Sequence, residues 1–119
     1  MNHRSYEKKK KRLEYCLSKR ISRGMRRSLK GNKNGRHWED LVGYTLKDLR
    51  EYLKRSFTKG MTWKKFMSGE IHIDHIIPVS QFSFKSFEDE QFRQCWSLTN
   101  LRPLGAKDNI SKHNKIVGW

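Results

Sequence analysis

Two cysteines, Cys16 and Cys95, are all that 119 residues carry. They form no CxxC pair, and four zinc ligands of the usual spacing cannot be assembled around them, which excludes a structural zinc site of that kind. They read as free thiols, Cys95 packing beside Trp96, because a disulfide is unusual in a reducing compartment. Long apolar runs are also missing. None approaches the roughly 18 residues that a membrane-spanning helix needs, and the basic N-terminus leads into more charge rather than into the apolar stretch of a signal peptide. A soluble cytoplasmic protein is the expectation. Internal repeats are absent, and hydrophobic residues reach only 34% against 33% charged. The length suits one compact domain with a modest core. Four Trp and six Phe argue against disorder throughout.

Acidic residues are scarce where the chain begins. The formal net charge is +15. Residues 1–36 hold 14 Lys/Arg and 2 acids, and residues 37–119 hold 13 and 10. An excess so localised is the footprint of a polyanionic partner. A solubilising tail is the plainer reading. Anionic lipid fits less well, since the segment lacks a strong aromatic anchor face.

The spacing predicts a helix over residues 4–30. Leu13, Cys16, Leu17, Ile21, Met25 and Leu29 recur at steps of three and four, one face of a 3.6-residue period. Its other faces carry two groups of cations. Lys8, Lys9, Lys10, Lys11 and Arg12 form the first, and Lys19, Arg20, Arg23, Arg26 and Arg27 the second. Gly24 weakens this helix by about 1 kcal/mol relative to Ala. The loop at 31–35 follows from its turn residues. Residues 37–42 suggest a helical turn. Thr45 and Asp48 have capping-box spacing ahead of a helix to about residue 57, and Thr62 caps a short turn. Residues 71–75 read as a strand that Pro78 ends or bends. Ser86 and Asp89 repeat the capping spacing before a helix through about Trp96. Residues 97–103 suggest a second strand, and 106–115 a final helix.

Within "IHIDHIIPVS", residues 71–80, Ile71, Ile73, Ile76 and Ile77 look like core, whereas Asp74 and His75 do not. Asn100 lies in the second predicted strand. Asn109 and His113 are four apart, so they share one face of the last helix. The pieces "IDHIIP" at 73–78, "LTNLRPL" at 98–104 and "DNISKHNK" at 108–115, in that order, resemble the HNH endonuclease family, and most closely its small phage and prophage members. The segment "GYTLKDLREYLKRSF" ahead of them is shared with such proteins. The resemblance covers roughly residues 37–115.

The resemblance implies an α+β, mainly helical fold with a ββα-metal core at about residues 70–115. The nuclease domain would be residues 37–119 and the basic DNA-binding arm residues 1–36. It implies one divalent ion, Mg²⁺ foremost, with Mn²⁺, Ni²⁺ or Zn²⁺ as alternatives. Asp74, Asn109 and His113 would hold it, His75 would be the general base, and Asn100 would brace the hairpin. Double-stranded DNA is the implied partner, in a phage- or prophage-encoded protein of a bacterial cytoplasm, with phage packaging proteins as further partners. Strand cleavage would leave 5′-phosphate and 3′-hydroxyl ends.

The chemistry suits these residue types. A neutral imidazole of ordinary pKa, about 6.5, takes a proton from water at neutral pH. Carboxylate and amide oxygens are hard ligands for Mg²⁺ or Mn²⁺. Neighbours on a strand point to opposite sides, which separates Asp74 from His75 and puts His72 on the face of Asp74. Arg102 is expected at a phosphate or in a surface salt bridge. Plainer readings stand beside each assignment: Asp74 as a turn cap, His75 as a core histidine, Asn100 as a turn residue, His113 as a solvated helix residue. His37 and the acidic run 88–90 read as structural. Two other functions stay open, a non-catalytic nucleic-acid-binding protein on a degenerate HNH scaffold and an RNase or toxin of the same fold. Oligomeric state is not legible.

Overall fold

A computed structural model describes residues 3–31 and 35–108. The chain is α+β and mainly helical. Its elements are α1 (His3–Ser28), a 3-10 turn (Trp38–Leu41), α2 (Leu46–Arg55), α3 (Trp63–Met67), β1 (Ile71–His75), a second 3-10 turn (Val79–Gln81), α4 (Glu90–Cys95), a third (Leu98–Asn100) and β2 (Leu101–Gly105). No described helix is long and apolar enough to cross a membrane.

The period read from the sequence decides how α1 sits. Leu17, Ile21, Met25 and Leu29 are almost wholly buried, with Leu13 and Cys16 packed at the margin. These side chains join Trp38, Leu49, Leu53, Phe66, Ile71, Phe92, Trp96 and Leu101 in one hydrophobic cluster. The change of charge at residue 36 coincides with no break in packing, because α1 supplies one wall of the common core. Two serines on α1, ten residues apart, anchor two tryptophans: Trp38 Nε1 donates to Ser18 Oγ at 2.9 Å and Trp96 Nε1 to Ser28 Oγ at 3.1 Å. Buried indole N–H groups need such partners. α1 then stops in a reverse turn. Gly31 N–H bonds Arg26 O and Lys30 N–H bonds Arg27 O, with Lys30 at φ 54° in the left-handed region, a Schellman arrangement.

The caps predicted from sequence are formed at α2 and α3. Thr45 Oγ1 accepts from Asp48 N, and the Asp48 carboxylate accepts from Thr45 N at 3.0 Å, a complete capping box. Thr62 accepts from Lys65 N. The third cap differs. Ser86 Oγ accepts from Glu88 N, while Asp89 Oδ2 accepts backward from Lys85 N and Ser86 N. The residues after Ser86 are thus spent on a turn, and α4 begins at Glu90 rather than directly after Ser86.

β1 and β2 pair antiparallel with Ile71 opposite Gly105 and His75 opposite Leu101. The second strand starts at Leu101, four residues later than expected, because 98–100 form a 3-10 turn. Ala106 N bonds Glu70 O and Ile76 N bonds Asn100 O. The bonded pairs therefore alternate through 72/104 and 74/102. Pro103, opposite Ile73, falls in a non-bonded pair and interrupts no ladder bond. Residues 106–108 are helical. The rest of the predicted last helix, with Asn109 and His113, lies outside the described residues.

Candidate functional site

The hairpin turns its two histidines toward α1. His72 and His75 line a cleft of 670 Å³ with Ile73, Val79 and Trp96, and with Arg20, Gly24, Arg27 and Ser28 of α1. Strict alternation puts His72 with Asp74 and apart from His75. Instead the two histidines share the cleft and Asp74 does not line it.

His75 is half-buried, and its Nε2 is shielded from solvent. Its ring meets Trp96 edge to face, with centroids 4.4 Å apart at 82°. Trp96 is itself fixed by three contacts. Its indole N–H reaches Ser28, its carbonyl accepts the Tyr44 hydroxyl at 2.6 Å, and its ring edge lies against Gly24. A Cβ at position 24 would stand 2.7 Å from Trp96 Cη2. The glycine that costs α1 helix propensity is thus what lets the tryptophan approach. Burial pushes the Tyr44 hydroxyl far above its ordinary range, with the neighbouring Cys95 adding to the effect. Burial also raises the Cys95 thiol to about 12, so it stays protonated at neutral pH.

Asn100, buried in the 3-10 turn before β2, holds the segment that follows His75. Its Oδ1 accepts from Ile77 N at 2.8 Å, and its Nδ2 donates to Ile77 O at 3.1 Å and Cys95 O at 2.9 Å. One amide thereby ties the end of β1 to the end of α4. The same grip turns two isoleucines outward. Ile76 and Ile77 are 48% and 50% exposed, not core as their apolar run suggests, whereas Ile71 is buried.

Asp74 is buried. Its Oδ2 accepts from Arg102 Nε at 2.9 Å, the residue directly opposite it in the hairpin. Of the two places expected for Arg102, phosphate or salt bridge, the structure holds it in the salt bridge. Asp74 is the single described member of the three side chains that the HNH resemblance assigns to a metal. Its carboxylate is a hard oxygen donor of the right chemistry. Among the described residues no three His, Cys, Asp or Glu groups converge.

The basic residues of α1 divide. Arg20 is bound inward: its guanidinium donates to Phe66 O and Met67 O and lies over the Phe66 ring, so it caps α3. Arg27 is exposed at the cleft rim. Lys8, Lys9, Lys10, Lys11, Arg12, Lys19, Arg23 and Arg26 are exposed elsewhere on the helix. Trp96 belongs to no motif, and sequence reasoning assigns it only to packing. Its signal is Gly24, a glycine inside an otherwise strong helical pattern.

No family model matches the chain, and no solved structure does. It is similar to two uncharacterized proteins of Acanthamoeba polyphaga mimivirus. One is 30% identical over 105 residues, covering 88% of this chain and 45% of the relative. The other is 30% identical over 101 residues, covering 75% of this chain and 43% of the relative. The chain thus spans less than half the length of the curated relatives it matches.

Proposed function

We propose that the chain is an HNH-type endonuclease that hydrolyses DNA phosphodiesters at the hairpin, with His75 on the side of the α1 cleft as general base and Asp74, which does not line that cleft, on the side of the metal. The observation that carries the reading is the setting of His75. It sits on a hairpin braced by Asn100, packs edge to face with Trp96, and shares its cleft with the exposed cation Arg27. Such a site offers a fixed imidazole and a positive charge to one phosphate.

In the reaction, Nε2 being shielded from solvent, Nδ1 of His75 takes a proton from a water molecule. The water oxygen forms the new bond to phosphorus, and the bond from phosphorus to the 3′ oxygen breaks. The leaving oxygen takes a proton from solvent and becomes a 3′-hydroxyl, while the phosphate stays on the 5′ side. Arg27 offsets charge at the phosphate rim. Asn100 and Trp96 act on the orientation of His75 and not on the substrate. Asp74, with Asn109 and His113 as the resemblance implies, would hold the divalent ion. That ion, when bound, supplies Lewis-acid stabilisation of the phosphoryl oxygen. Arg102 keeps the Asp74 carboxylate aimed.

Supercoiled plasmid incubated with the protein and Mg²⁺ or Mn²⁺ tests the reading. Nicking that EDTA abolishes is expected. His75→Ala should lose about 10²-fold or more in rate, the usual contribution of a general base, with an unchanged circular dichroism spectrum. Folded wild-type protein that binds plasmid without nicking it under either metal would favour the non-catalytic binder. The Asp74–Arg102 pair is the feature on that side, because it commits the carboxylate to a structural partner.

A further inference from the structure

The cleft uses one flank of α1, and the helix has another. Lys8, Arg12, Tyr15, Lys19, Arg23 and Arg26 follow each other at steps of four, three, four, four and three, so they form one stripe along the helix. All six are exposed, Tyr15 at 64%. At 1.5 Å per residue the stripe runs about 27 Å.

Acids are kept off it. Glu7 and Glu14 precede Ile21 by two heptads and one, which sets them near the line of that buried side chain. Glu14 is also paired with Arg50 Nη1 at 2.9 Å. Beside the stripe lies a second hollow of 450 Å³, lined by Tyr15, Lys19, Arg23, Arg26, His37 and Trp38 among others. No residue lines both this hollow and the histidine cleft. Of the two acids next in sequence to residues that line the hollow, Glu14 is held by Arg50, and Glu39 is engaged by His37 Nε2 at 2.8 Å and by Leu46 N. Lys19 Nζ stands 5.2 Å from the centroid of the Tyr15 ring, which fixes one ammonium of the row.

From this one-signed row we infer that the outer stripe of α1 is a second nucleic-acid-binding face, separate from the cleft, whose five cations follow a phosphodiester backbone. Its length matches about eight nucleotide steps. A compact anion would meet one or two of these cations, whereas a row five cations long suits a polymer with evenly repeated charge. The inference goes beyond the hydrolytic reading and does not need it. A folded protein without nuclease activity would still carry this face.

The test is fluorescence anisotropy of the 119-residue chain in EDTA, with a short labelled DNA duplex and the same sequence as a single strand. Lys19→Gln, Arg23→Gln and Arg26→Gln are combined in one variant, and Lys8→Gln with Arg12→Gln in another. All five positions are exposed, and Gln is a good helix former, so circular dichroism should not change. Removing three phosphate contacts should lower the slope of log affinity against log salt by about 3 on duplex and about 2 on single strand. Between about 50 and 200 mM salt, wild-type affinity for duplex should then fall about 40-fold further than that of the triple variant. The double variant should show a smaller change in the same direction. Unchanged affinity and salt slope in both stripe variants would overturn the inference. So would loss of binding to vesicles rich in anionic lipid while DNA binding is retained.

Discussion

Gly24 is the residue where two demands on α1 conflict. Alanine there would recover about 1 kcal/mol of helix propensity, but its Cβ would stand 2.7 Å from the Trp96 ring, and overpacking of this kind costs about 1–3 kcal/mol. The ring cannot yield freely, because Ser28 holds its N–H and His75 packs against it. Gly24→Ala is therefore expected to lower stability by up to about 2 kcal/mol in urea denaturation and to reduce plasmid nicking more than plasmid binding. A variant as stable and active as wild type would remove Trp96 from the positioning of His75. Motifs make His75 and Asn100 conspicuous in the sequence. They do not reveal that Trp96 stands between α1 and His75, since that contact joins residues far apart in the chain. Nor can Arg102 be paired with Asp74 before the hairpin register is known.

Elements whose signals are local are legible in the sequence. The 3.6-residue period of α1, the Thr45 and Thr62 caps and the strand at 71–75 all depend on near neighbours, and all are formed. The start of α4 is not legible in the same way, because Ser86 and Asp89 have the spacing of a cap while the Asp89 carboxylate faces backward. The capping box of α2 gives a test at this scale. Thr45→Ala should cost about 1 kcal/mol of stability. The amide and hydroxyl of Thr45 hold the Asp48 carboxyl below its ordinary 3.8. A depressed carboxyl binds fewer protons when folded, so its contribution is present above the unfolded value and is lost as pH falls through the folded one. Thermal melts from about pH 6 down to about pH 2 should show a shallower acid decline for Asp48→Asn than for wild type. Equal declines would mean that other carboxyls dominate.

At the scale of the whole molecule, the change in charge near residue 36 suggests a basic arm ahead of a separate domain. Composition sees charge, but it does not see that the same helix presents Leu17, Ile21, Met25 and Leu29 to everything that follows. Removing residues 1–30 should therefore expose Trp38, Phe66 and Trp96 and abolish cooperative unfolding, rather than leave a folded core with weaker DNA binding. A truncated chain that melts cooperatively would restore the two-part description. Because one helix carries both the wall of the core and the cationic stripe, its outer charge is coupled to the folding equilibrium. Like charges along a rigid rod repel most when the chain is folded, and a polyanion that binds there favours the native state in proportion to its occupancy. Heparin or duplex DNA at about 100 times its dissociation constant should add about 2.7 kcal/mol to stability, making the protein sturdier on its ligand than in dilute buffer.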